Sequence, residues 1–154
     1  MGRWMLVGVG MLLASLAHAS LGDTQEHVDA DRMAWGMRHA HERGVNADRH
    51  TLRDGQGTLI REYVGVHGRV FAVAWQAGFK PDLTKLLGDH AAETARAMKE
   101  SARRGGVQRQ FLHQGHDLVV FSSGYLNQFR GYAYRPSLVP PGFDLSRLGR
   151  DGAP

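Results

Sequence analysis

The hydrophobic pattern of the chain centres on Thr58 to Trp75, TLIREYVGVHGRVFAVAW, where two apolar, β-branched runs flank a turn carrying Gly65 and Gly68. This is the pattern of a β-hairpin. Along the second run Val70, Ala72 and Ala74 fall on one face and Phe71, Val73 and Trp75 on the other. Apolar residues on both faces predict a strand covered from both sides, central in its sheet. Upstream, His50 and Leu52 mark a strand beginning near Arg49 and closed by the turn Gly55-Gln56-Gly57. Downstream, the candidates are Val107–His113, Asp117–Ser122 and Gln128–Arg135, with Gln114-Gly115 and Ser123-Gly124 as the turns between them.

Between these two groups the period changes. Leu83, Leu86, Leu87, His90, Thr94, Ala97 and Met98 recur at helical spacing, with Pro81 and Asp82 at the start, Arg103-Arg104 at the end and Gly105-Gly106 as the stop. The leucine-rich first half of this helix is expected to pack on the sheet. The second half, with Glu93, Arg96, Lys99 and Glu100, is expected to face solvent. A shorter helix is expected between Ser20 and His41, where Asp23 and Glu26 resemble a capping box ahead of Val28, Met33, Trp35 and Met37. Pro136, Pro140 and Pro141 forbid a central strand, so 137–154 reads as an extended, flexible C-terminal tail. The fold class expected is α+β: a mainly antiparallel sheet of five to six strands, the main helix at about 81–104 packed on it, and a shorter N-terminal helix. Residues 20–136 form the single domain.

The first residues modify that account. Arg3, the apolar run Trp4 to Leu16 and the small-residue exit Ala17-His18-Ala19 have the layout of a secretory signal peptide over 1–19. A membrane span needs about 20 apolar residues, and this run is shorter and soon followed by Asp23, Thr24 and Gln25. The expectation is export through the inner membrane to a periplasmic or secreted destination, with no transmembrane segment after cleavage.

Loss of Arg3 lowers the formal charge from +4 to +3. The one basic knot, Arg103-Arg104 with Arg109 beyond it, suits a helix C-terminus, so no nucleic-acid partner is expected. The chain has no cysteine, which excludes disulfides, thiolate metal sites and a cysteine nucleophile. Its core alone must hold it together.

REYV at Arg61–Val64, GRVFAVAWQ at Gly68–Gln76, PDLTKLLG at Pro81–Gly88, DLVVFSSG at Asp117–Gly124 and GYAYRPSLVPPG at Gly131–Gly142 resemble an exported proteobacterial family, domain of unknown function 2844. The resemblance covers most of the chain after residue 19, including the start LGDTQEHVDAD. It implies secretion and a compact domain found largely in Burkholderia-like bacteria, and it brings no catalytic residues with it.

Chemistry is therefore sought in the residues themselves. Nine histidines invite a metal reading, with His39 and His41 near the end of the first helix or on a strand, and His113 and His116 bracketing a turn. A zinc site needs three or four converging ligands, and HExxH is absent, so His113 and His116 stand only as weak metal candidates. Ser122 and Ser123 precede Gly124 without a GxSxG elbow. The glycines contain neither GxGxxG nor a P-loop lysine.

No catalytic residue and no cofactor is assigned, and enzymatic activity is not expected. The alternative is a small periplasmic hydrolase or a metal-binding protein using the histidines. Tyr125, Phe129, Arg130, Tyr132 and Tyr134 crowd together near Asn127, Gln128 and Arg135. Aromatics mixed with arginine are typical of contact surfaces, so these five are the candidate binding residues. The expected partner is an envelope protein or a polysaccharide.

Overall fold

A computed structural model of the protein describes residues 21–24, 26, 36–105 and 109–151. One antiparallel sheet of seven strands, one or two more than the pattern suggests, carries the architecture. The strands are β1 (Arg38–Glu42), β2 (Asp48–Arg53), β3 (Leu59–Val64), β4 (Val70–Ala77), β5 (Gln110–Gln114), β6 (Val119–Tyr125) and β7 (Gln128–Tyr134), in the spatial order β1-β2-β3-β4-β7-β6-β5. The hairpin predicted at 58–75 is β3–β4. β4 is the middle strand, and all its residues except Gln76 are buried.

The added strand is β1. It occupies the end of the stretch read as an N-terminal helix, so His39 and His41 stand on a strand paired with β2 rather than near a helix end. The alternation of Arg38, Ala40 and Glu42 against His39 and His41 has period two, which suits a strand edge. The rest of that helix expectation falls largely on 25 and 27–35, and the signal-peptide expectation on 1–19, outside the described residues. Leu21 to Thr24 lies beside the start of β4, where the Gly22 N–H donates to the Val70 carbonyl at 2.8 Å and Val70 returns a bond to Asp23 at 2.9 Å.

The main helix is present but broken. α1 (Leu83–Leu87) is capped by Asp82, whose carboxylate accepts the Thr84 N–H at 3.0 Å. Gly88 then adopts a positive φ of 50°, open to glycine because it has no Cβ. A 3₁₀ turn, Gly88–His90, leads into α2 (Ala91–Arg104). The division of labour follows the sequence: Leu86 and Leu87 are buried, whereas only Thr94 of α2 is. The helices cover one face of the sheet over a core of Leu52, Ile60, Val73, Trp75, Val120 and Ala133. Gly131 of β7 makes room for the indole of Trp75, because a Cβ there would stand 2.5 Å from the ring.

The opposite face is covered by the segment expected to trail away. Pro136–Leu138 forms a 3₁₀ turn and Ser146–Asp151 a short helix, α3, rather than an extended tail. Proline excludes this segment from the ladder, but its apolar residues still find the sheet: Leu138, Val139, Phe143 and the fully buried Leu148 pack with Tyr63, Phe71 and Ala72. A register shift between Tyr63 and Val64 marks a bulge in the β3–β4 ladder beside this cluster. Phe143 meets the rings of Phe71 and Tyr63 edge-on at 4.9 and 5.4 Å. Asp117 fixes the exit from β7, accepting from Arg135 at 2.6 and 2.9 Å and from the Ser137 hydroxyl and N–H at 2.7 and 2.9 Å.

Candidate functional site

Strand alternation and register together build one continuous surface. On the face that α3 partly covers, pairing aligns Leu112, Phe121, Tyr132 and Ala74 in one cross-strand row. Val119, Tyr134 and Ala72 form the next, and Ser123, Arg130 and Gln76 a third. The C-terminal segment reaches as far as Tyr132 and Tyr134, which pack against it. Beyond them the β7-β6-β5 half of the face is open. Leu112 is 59% exposed, while Phe121 and Tyr132 are half-buried.

The rings on this half are stacked. Phe121 and Tyr132 lie 5.4 Å apart at 28°, and Tyr132 and Tyr134 6.4 Å apart at 26°. Ring pairs at such separations are favourable by about 0.5 to 1.5 kcal/mol beyond their burial. Burial pushes the Tyr132 hydroxyl pKa above its ordinary value, and Tyr134 adds to that, so the phenol remains a neutral donor and acceptor. The arrangement presents apolar ring faces beside phenol hydroxyls, with Arg130 at one end.

Four of the five residues singled out from the sequence therefore share this face: Tyr125, Arg130, Tyr132 and Tyr134. Phe129 does not. It pairs with Gly124 and Ala77 and faces the helix layer, its ring occupying the space a Gly124 side chain would need, 2.8 Å from where that Cβ would be. Phe121 and Leu112 belong to the face and were not singled out. Their signal is the register, which places Phe121 opposite Tyr132 and Leu112 opposite Phe121 and is invisible in one strand alone.

The turn at the end of the face also differs from the expectation. Ser122, Ser123 and Gly124 lie within β6 rather than at a turn. The reversal is made by Leu126-Asn127, between the paired Tyr125 and Gln128. Leu126 has a φ of 50°, the one positive value at a non-glycine residue among those described, and it is 75% exposed. Two-residue hairpin loops need positive φ, which glycine or asparagine supplies at lower cost. Tyr125, 54% exposed, is held beside it by the Arg109 guanidinium, 4.7 Å above its ring.

Among the described residues, histidines make side-chain pairs at two separate places. The His113 Nε2 lies 2.8 Å from Glu93 Oε1 of α2. His116 is exposed and not joined to that pair. At the other edge of the sheet the His50 ring stacks with His41 at 4.4 Å and with His39 at 5.1 Å. His39 Nε2 and His50 Nδ1 are 2.9 Å apart, one carrying the hydrogen and the other accepting it, while His41 Nε2 is 3.1 Å from Asp48. Among the described residues no group of three or more His, Asp or Glu side chains is arranged to hold a metal ion.

Comparison with known families decides one point. Residues 17–148 match the family described as "Protein of unknown function (DUF2844)". The chain belongs to DUF2844. The match spans every strand and helix of this DUF2844 fold up to Leu148. No curated protein and no solved structure matches the chain. No described helix is long and apolar enough to cross a membrane.

Proposed function

We propose that this DUF2844 chain is an exported, non-enzymatic binding module, and that it docks an envelope protein on the open half of its sheet. One observation carries the reading: the row Leu112–Phe121–Tyr132 stays accessible on a rigid sheet, with Tyr134 and Arg130 beside it. A contiguous exposed apolar patch, unlike a single exposed residue, marks a surface that meets a partner. Tyrosine and arginine are enriched where proteins meet, because a ring supplies area at small conformational cost and its hydroxyl supplies a directed bond. The exposed Tyr125-Leu126 tip continues the same surface.

The reading is tested by placing a photoreactive residue at position 112 in producing cells and identifying what it captures. The expected result is one envelope protein, captured at 112 and lost on Tyr132→Ser, with no capture from Ala95 on the helix layer. Equal capture from both positions refutes the docking face. Recovery of glycan alone replaces the protein partner with a polysaccharide.

A further inference from the structure

The helix layer and the sheet do not close completely between α2 and the β5–β6 edge. A cleft of about 410 Å³ remains there, floored by Leu83, Met98, Phe111 and Phe129. The sequence accounts for the gap. At this end α2 borders the cleft with the half-buried Met98 and the small, exposed Ala102, one turn apart, so the helix does not fill the space above the sheet. Gly124 lets the Phe129 ring lie across β6, where any side chain would displace it.

Among the described residues that line the cleft, the charge has one sign. Lys80 and Arg109 line it, Gln110 and Ser122 add neutral polar groups, and among the described residues that line it there is no Asp or Glu. Arg109 is not a free-swinging cation, because its guanidinium rests on the Tyr125 ring. An apolar floor beside a pre-positioned cationic rim selects a ligand with two unlike ends.

We propose that this cleft binds a single-chain amphiphile with a carboxylate head, its hydrocarbon chain over Met98, Phe111 and Phe129 and its head between Lys80 and Arg109. The volume lies within the range of about 300 to 1,000 Å³ usual for small-molecule pockets. A guanidinium offers a planar fork that matches the two oxygens of a carboxylate, and Lys80 adds a second, point-like cation at the rim that draws an anionic head and disfavours a cationic one. The cleft opens on the helix side of the sheet, away from the Tyr132 row; Arg109 touches both surfaces through Tyr125, whereas Lys80 and Ala102 belong to the cleft alone.

The experiment is calorimetric titration of the purified protein with decanoate below its micelle-forming concentration. Decanol and decyltrimethylammonium serve as probes of the same chain length with a neutral and a positive head. Decanoate is expected to bind with one site per chain, decanol at least tenfold more weakly and decyltrimethylammonium more weakly still. Arg109→Gln and Lys80→Gln, both at exposed positions, are expected to weaken decanoate about five- to tenfold each and leave decanol unchanged. Ala102→Trp should fill the cleft and abolish binding, with the Met98 methyl resonance losing its decanoate-induced shift.

Equal affinity for decanoate and decanol overturns the assignment of the head. Binding that survives Ala102→Trp, or an absence of heat and of any Met98 shift in the unaltered protein, overturns the site. Tyr132→Ser should leave decanoate binding as it is.

Discussion

The hydroxyl of Tyr63 donates to the carboxylate of Asp151, tying the buried middle of the sheet to the end of α3. Burial pushes the Tyr63 hydroxyl pKa up and the neighbouring carboxylate pushes it further, so the group stays protonated as a donor. Arg49 lies 3.4 Å from the same carboxylate, and Arg61 donates to the Asp151 carbonyl at 2.6 Å. Three residues from two strands thus converge on one residue near the C-terminus.

Asp151→Ala should lower the unfolding free energy by about 1 to 3 kcal/mol, the cost of leaving partly buried donors without their acceptor. Combined with Tyr63→Phe, the effects should be non-additive by at least about 0.5 kcal/mol in a double-mutant cycle read by urea unfolding. Strict additivity would mean that the two residues do not interact in solution.

Asp117 sets an acid limit on stability. Burial alone would raise its pKa, but the Ser137 hydroxyl and N–H and the Arg135 guanidinium outweigh that and hold it at about 2. A carboxylate lowered in the folded state contributes stability above its unfolded pKa of about 4, and loses that contribution as the pH falls from there toward 2. With solvent screening the contribution is about 1 to 2 kcal/mol. Asp117→Asn should therefore be less stable than the parent at pH 7 by about that amount. The gap should narrow between pH 4 and pH 2 in chemical denaturation. A gap constant over that window would show that Asp117 does not titrate with unfolding.

Leu126 holds a left-handed conformation that costs an ordinary residue about 1 to 2 kcal/mol. Leu126→Gly keeps the turn and should raise the melting temperature, with a gain of about 1 kcal/mol at the midpoint. If the hairpin tip belongs to the docking surface, the same variant should capture less partner while being more stable. A lower melting temperature would mean that the leucine side chain supports the fold.

Much of this fold was legible because its signals are local. The 58–75 run, the burial of β4 on both faces and the contrast between Leu86-Leu87 and the solvated α2 all follow from periodicity within one element. α3 was not legible in that way. Six residues make too short a helix for a periodic stripe, and what holds it is contact with Tyr63 and Phe71, roughly eighty residues earlier in the sequence. The candidate face divides along the same line. Arg130, Tyr132 and Tyr134 alternate along one strand and could be grouped from the sequence. Phe129 is one residue out of phase, so nearness in sequence put it on the wrong side. Phe121 and Leu112 enter only through cross-strand register, which depends on where the turns fall.

The sheet order has a kinetic consequence. β1 to β4 and β5 to β7 are two meanders, each formed by neighbours in sequence, and they meet along the single β4–β7 seam. Within each meander the loops to be closed are short, but the seam joins strands separated by α1, α2 and two further strands. Bringing such distant segments together costs loop entropy before any ladder bond is made. The two halves can therefore take shape early and independently, while folding waits on their zipping together. Along the seam small residues face large ones, Ala72 against Tyr134, Ala74 against Tyr132 and Gly131 against Trp75, so that two bulky side chains do not oppose one another at those pairs.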